Sequence, residues 1–118
     1  MRRSLKIFLA LVVVGAIVIL LVPTVTYYHD SATRTTILRT VARELPHNAS
    51  ITEMAKFMQR HTTNAGLDEA DQLEYGGFVP QTAFDRFWGD RKVKIILVVN
   101  RYTKTFQRAE VQIFYTGP

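Results

Sequence analysis

Nucleophilic chemistry needs a Ser, Thr, Cys or Lys beside a base that is itself held in place. This chain has no cysteine, which excludes thiolate nucleophiles, disulfide frameworks and thiolate zinc sites outright. Ser4 precedes a long apolar stretch, Ser31 follows it without a GxSxG-type turn, and Ser50 is explained by a helix cap argued below. His29, His47 and His61 stand 18 and 14 residues apart, with no i, i+4 pair or HExxH pattern to preorganise a metal. Asp68, Glu69, Asp71 and Glu74 form the densest acidic cluster. They lack the alternating carboxylates, central glycine and terminal glutamate of a calcium loop, so a solvated acidic turn is the expectation. The glycines form neither GxGxxG nor GxxxxGK, so no phosphate cradle is expected. These residues predict no enzyme, no metal, no cofactor and no small-molecule substrate.

What remains is a constellation suited to binding. In "FVPQTAFDRFWGD" the residues Phe84, Phe87 and Trp88 match helical i, i+3, i+4 spacing, which suits core packing. Beside Arg86, Arg91 and Lys92 the same rings also suit a contact surface rich in Trp, Phe and Arg, or a loop resting on lipid.

The element that must position everything else is the opening segment. The 118 residues carry a formal charge of +5, of which Arg2, Arg3 and Lys6 supply three, so only two remain beyond them. That balance predicts no nucleic-acid footprint. Between Lys6 and His29 no residue is charged, a run of 22 residues. As a helix it spans roughly 33 Å, against a hydrocarbon core of about 30 Å. Ile7, Phe8, Leu9, Val12, Ile17 and Leu20 face lipid in this reading, and Tyr27 and Tyr28 reach headgroup depth. Pro23 removes a helical hydrogen bond and predicts a kink or break near the outer surface. The competing reading is a cleaved signal peptide. The apolar run exceeds the usual length for one, and Thr24-Val25-Thr26 is a poor cleavage pattern. Retention as an anchor is therefore expected, with the basic start cytoplasmic and residues 29–118 on the far side.

Residues 29–118 read as a small domain. Residues 30–45 predict a helix with Ile37, Leu38, Val41 and Leu45 in one stripe, closed by Pro46. Ser50-Ile51-Thr52-Glu53 has the pattern of a capping box and opens a second helix, with Ile51, Met54, Ala55, Phe57 and Met58 on its apolar side. It is expected to fade through residues 61–64 and stop at Gly66. Leu73, Tyr75 and Val79 predict a first strand over residues 72–79, with Gly76-Gly77 marking a bulge or a close approach. "RKVKIILVVN" and "TFQRAEVQIFYT" predict a hairpin. Residues 95–99 are apolar at every position, whereas the second strand alternates. The expected fold is α+β: a transmembrane helix, residues 1–28, then two amphipathic helices on a three-stranded antiparallel sheet ending in a C-terminal β-hairpin. Helices on one side leave the other sheet face, at Ile96 and Val98, short of cover, and Phe84, Phe87, Trp88, Ile96 and Val98 form the candidate partner surface.

The order of these parts resembles that of small single-span bacterial envelope proteins of unknown function: a basic start, an apolar span, the "VP…YY" exit, a helix ending "VARELP", a capped second helix and the closing "VKIILVVNRYTKT…AEVQIFY" hairpin. The resemblance implies a single-pass protein of the bacterial inner membrane with a periplasmic or extracellular domain, and supplies no activity. Type IV pilins also join an apolar N-terminal helix to a small sheet domain. This chain departs from them, since no acidic residue follows a processing glycine and Gly15 lies inside the apolar run. The expectation is a non-enzymatic interaction or scaffold module whose partners are membrane lipid and another envelope protein. A subunit of a secretion, conjugation or pilus-like assembly, or a secreted soluble protein, are the alternatives.

Overall fold

The structure, a computed structural model, describes residues 2–69 and 72–117. The elements follow in the order α1 (Arg2–Glu44), α2 (Ile51–His61), β1 (Thr63–Asp68), β2 (Glu74–Phe78), α3 (Ala83–Phe87), β3 (Arg91–Val99) and β4 (Phe106–Tyr115). The chain groups into two compact units, one ending at Thr33 and the other beginning at Arg34.

The described residues of the first unit are all helical. Of the kink or break expected at Pro23, the break does not occur, and α1 runs through that residue. Just beyond that proline, Thr24 and Thr26 donate their hydroxyls to the Leu20 and Val22 carbonyls, each at 2.8 Å. Ile7, Phe8, Leu9, Val12, Ile17, Leu20, Tyr27 and Tyr28 are all exposed. The helix is long and apolar enough to cross a membrane, a property that it shares with signal sequences and with core helices, and none of its most apolar window is buried within the chain.

The second unit is an α+β domain built on an antiparallel sheet in the order β1-β2-β3-β4. The three-strand expectation is corrected to four. Residues 63–68 form a strand where the sequence reading has the fading end of α2 and its glycine stop. Nothing in "TNAGLD" alternates, and among these residues only Ala65 is half-buried. β1 exists because it pairs with β2, with a register shift between Thr63 and Gly66. At Gly76-Gly77, where a bulge or a close approach is expected, the β2–β3 ladder runs without a shift, the shift in the β1–β2 ladder falls opposite Gly77, and Gly77 lies close against Thr62.

Helices and sheet meet over one face. Val41 and Leu45 near the end of α1, Ala49, and Met54, Phe57 and Met58 of α2 close on Leu73, Ile95, Leu97 and Val99. Phe57 is fully buried, so truncation to alanine costs about 3–5 kcal/mol. Leu38, placed in the apolar stripe by its spacing, stays exposed. The Ser50 hydroxyl accepts from the Glu53 amide at 3.2 Å and starts α2 as expected. Rather than forming a complete capping box, the backbone here docks on the sheet, where Ser50 bridges Thr105 and the Phe106 amide donates to the Ala49 carbonyl at 2.8 Å.

Candidate functional site

The candidate site is α3 and its flanks, an element too short to be stable by propensity. Three local devices hold it. The first is a complete capping box: the Thr82 amide donates to the Asp85 carboxylate at 2.9 Å, and the Asp85 amide donates to the Thr82 hydroxyl at 3.2 Å. The second is an ion pair to the sheet, in which Arg91 donates to Asp85 Oδ1 at 2.8 Å. The third is a clasp around Asp90. Gln81 Nε2 donates to Asp90 Oδ1 at 2.8 Å and to the Arg91 carbonyl at 2.9 Å, and the Thr116 hydroxyl donates to Asp90 Oδ2 at 3.0 Å. The turn out of α3 needs left-handed backbone at Gly89 (φ 70°) and Asp90 (φ 47°), and the Tyr115 ring would come within 3.2 Å of a Gly89 side chain.

Charge is settled within this frame. Burial pushes the Asp85 carboxyl up, but the Thr82 amide, the Arg91 guanidinium and the Thr82 hydroxyl outweigh it and hold the group below its ordinary value. Hydrogen bonds from Gln81 and then Thr116 hold the Asp90 carboxyl low as well.

What the frame presents is aromatic. Phe84 and Trp88 stack one helical turn apart, with centroids at 5.5 Å and planes at 14°. Phe87 stands 83% exposed and Phe84 38% exposed, while Trp88 is half-buried. Burial of all three rings in the core, the bland reading of their spacing, therefore does not hold for Phe87.

The structure brings together three of the five residues proposed from sequence as a partner surface. Ile96 and Val98 are only 3% exposed and do not belong with them. They lie outside the core cluster, opposite Glu110 and Arg108 on β4, whose side chains pair at 3.1 Å. Lys94 lies along Gly76, with its ammonium 5.8 Å from the Phe78 ring centroid. Long charged side chains with apolar stems thus flank the face that sequence reasoning leaves uncovered. Arg91, read as a charge beside the aromatics, is buried instead, paired with Asp85.

Asp85, Gln81 and Asp90 were not singled out from sequence. A signal for the first was present, since Thr82-Ala83-Phe84-Asp85 has the same [ST]-x-x-[DE] spacing as Ser50–Glu53.

The other reactive side chains are spread out. His61 pairs through Nε2 with Glu44 and packs on Phe57 at 4.6 Å between centroids, tying the end of α1 to the end of α2. It is half-buried. Among the described residues no group of three or more His, Asp or Glu is placed to hold a metal ion. Asp71 of the acidic cluster lies outside the described residues. No protein-family model, curated protein or solved structure matches the chain.

Proposed function

We propose that the protein is a non-enzymatic interaction module held at a membrane by α1, whose domain offers the Phe84–Phe87–Trp88 surface to another protein. The observation that carries this reading is Phe87: a large apolar ring exposed to 83% on a five-residue helix that a buried ion pair and a capping box lock in place. Exposed aromatics on rigid elements are the usual anchors of protein contacts, because little conformational entropy is lost when they are covered. In this reading α1 is a retained single-pass anchor in the inner membrane of a bacterium. Arg2, Arg3 and Lys6 hold the N-terminus in the cytoplasm, and the domain works outside it.

The test is a photo-crosslinking residue at position 87 in the full chain, expressed in its own host, with exposed Gln59 as the control position. A discrete adduct from position 87, absent from position 59 and lost from detergent extracts of Phe87→Ser, supports the contact. No adduct at position 87 refutes it.

One observation favours a second reading, a subunit of a secretion, conjugation or pilus-like assembly. None of the most apolar window of α1 is buried within the chain. Here the apolar stretch itself packs on neighbouring copies. A side chain added at Gly15 meets nothing within 4 Å in the chain. Loss of self-association in a membrane assay on Gly15→Leu therefore reports contacts between copies and favours this reading over the first.

A further inference from the structure

We infer that the outer edge of β4 is a pairing edge for a second copy of this chain, joined antiparallel about Val111. The direction of the backbone groups comes from the β3 ladder. The Val79 amide donates to the Val93 carbonyl and the Val99 amide to the Leu73 carbonyl, each at 2.8 Å. Val93 and Val99 therefore turn their polar backbone groups towards the β2 side, and Lys92, Lys94, Ile96 and Val98 turn theirs towards β4. Their register partners Phe114, Gln112, Glu110 and Arg108 bond back to β3. The residues between them, Ala109, Val111 and Ile113, aim their amides and carbonyls away from the sheet, and no described residue meets those groups.

The two edges of the sheet differ in the way that matters for association. β1 is short and has a register shift, a glycine and an outer aspartate, features that blunt an edge. β4 has ten residues, contains neither proline nor lysine, and keeps one register with β3 from Arg108 to Tyr115. Its start is closed by Ala49 and Ser50, so the open stretch is the part that follows.

Backbone direction admits only registers that set outward residues against outward residues, and side-chain charge narrows these, since centring on Glu110 sets that carboxylate against its own copy. Centred on Val111, the pairing sets Val111 against Val111 of the second copy and Ala109 against Ile113 of the second copy. All of the outward groups are then used, and half-buried apolar residues continue the core face across the junction. A one-residue slip sets outward groups against inward ones. Centring on Ala109 drives the second copy into the Phe106 amide, which Ala49 already occupies. On the opposite face the Val111 register sets Glu110 against Gln112, and Arg108 against the Phe114 ring. No like charges meet, and a guanidinium lies beside an aromatic face. The inference rests on β4 alone and is independent of the aromatic patch on α3.

Sedimentation of the purified full chain in detergent tests it, and a concentration-dependent dimer is expected. Gln112→Glu sets a carboxylate against Glu110 of the second copy at two symmetric positions, while within its own chain it lies opposite Lys94. It is expected to weaken self-association about threefold to tenfold without destabilising the fold, and Gln112→Lys to strengthen association by a similar factor. Misfolding cannot produce opposite shifts of this kind. The chain has no cysteine, so oxidation of the double variant Glu110→Cys with Gln112→Cys is expected to yield a disulfide-linked dimer. A monomer at every concentration overturns the inference. So does a dimer whose affinity is unmoved, or moved in the same direction, by the two Gln112 variants.

Discussion

Arg91 and Asp85 form an ion pair at 2.8 Å with side chains only 2% and 10% exposed, and it joins the first residue of β3 to the only buried residue of α3. Removing one member of a buried pair strands the other without water. Asp85→Asn leaves the Arg91 guanidinium facing an amide and is expected to cost about 3–5 kcal/mol. Arg91→Met also leaves Asp85 its Thr82 bonds, and is expected to cost about 3 kcal/mol, near the lower end. The double variant is expected to cost clearly less than the sum of the singles. Urea unfolding of the full chain in mild detergent, followed by the fluorescence of Trp88, the only tryptophan, measures all three. Simple additivity would show that the pair does not act as a unit.

The same pair fixes the sign of the response to acid. Burial raises the Asp85 carboxyl, and its hydrogen bonds and Arg91 more than reverse that, so its folded pKa lies below the ordinary value of 3.8. A depressed carboxylate contributes stability that is present above its unfolded pKa and is lost as pH falls through its folded one. Asp90 shifts in the same direction through Gln81 and Thr116. The thermal midpoint is therefore expected to hold between about pH 7 and pH 5 as far as these groups are concerned, and to fall below about pH 4. Asp85→Asn is expected to start lower at neutral pH and to show a shallower acid decline. An unchanged acid limb in that variant would assign the loss to other carboxyls.

Two glycines of neighbouring strands should respond oppositely to a methyl group. A Cβ at Gly77 would stand 2.5 Å from Thr62 Oγ1, 2.9 Å from Thr62 Cβ and 3.1 Å from Ala65 Cβ. The Thr62 hydroxyl is engaged with the Met58 carbonyl at 2.6 Å, so it does not swing aside freely. Gly77→Ala is expected to cost about 1–3 kcal/mol. Gly66 has open space around it and no positive φ, so Gly66→Ala is expected to stay within about 0.5 kcal/mol or to stabilise slightly. Denaturant midpoints of the two variants decide this, and equal costs would mean that Thr62 is free to move.

Much of the domain was legible because its signals are local. Ser50 was recognisable as a cap, residues 95–99 as a strand and Ala109, Val111, Ile113 and Tyr115 as one face of a strand. Each depends on spacing that the chain carries within a few residues. β1 was not legible, since residues 63–68 are strand only through their pairing with β2, and no alternation marks them. The close approach at Gly77 was anticipated from the glycine pair, but its partner, Thr62 at the end of α2, is set by tertiary packing. Ile96 and Val98 were read as uncovered because no helix was left to cover them. The flanking side chains of Lys94, Arg108 and Glu110 combine a charge with a long apolar stem, and hydropathy registers only the charge. Arg91 misled for a related reason: an arginine next to aromatics reads as surface until its carboxylate partner is found.

The proposed anchor makes the last prediction. Val14 lies near the middle of the apolar residues 7–22 and is exposed, so within this chain it packs into no core. An arginine there costs about 2.5–3.5 kcal/mol of membrane insertion. Alkaline extraction is expected to leave the natural chain in the membrane pellet, and to shift Val14→Arg towards the supernatant with its domain still folded by Trp88 fluorescence. Intact mass of the pelleted protein supplies the second half of the test. A retained anchor preserves the N-terminal residues, whereas a mass matching an N-terminus near Tyr27 would identify α1 as a cleaved signal sequence. The interaction surface on α3 would then belong to a free domain.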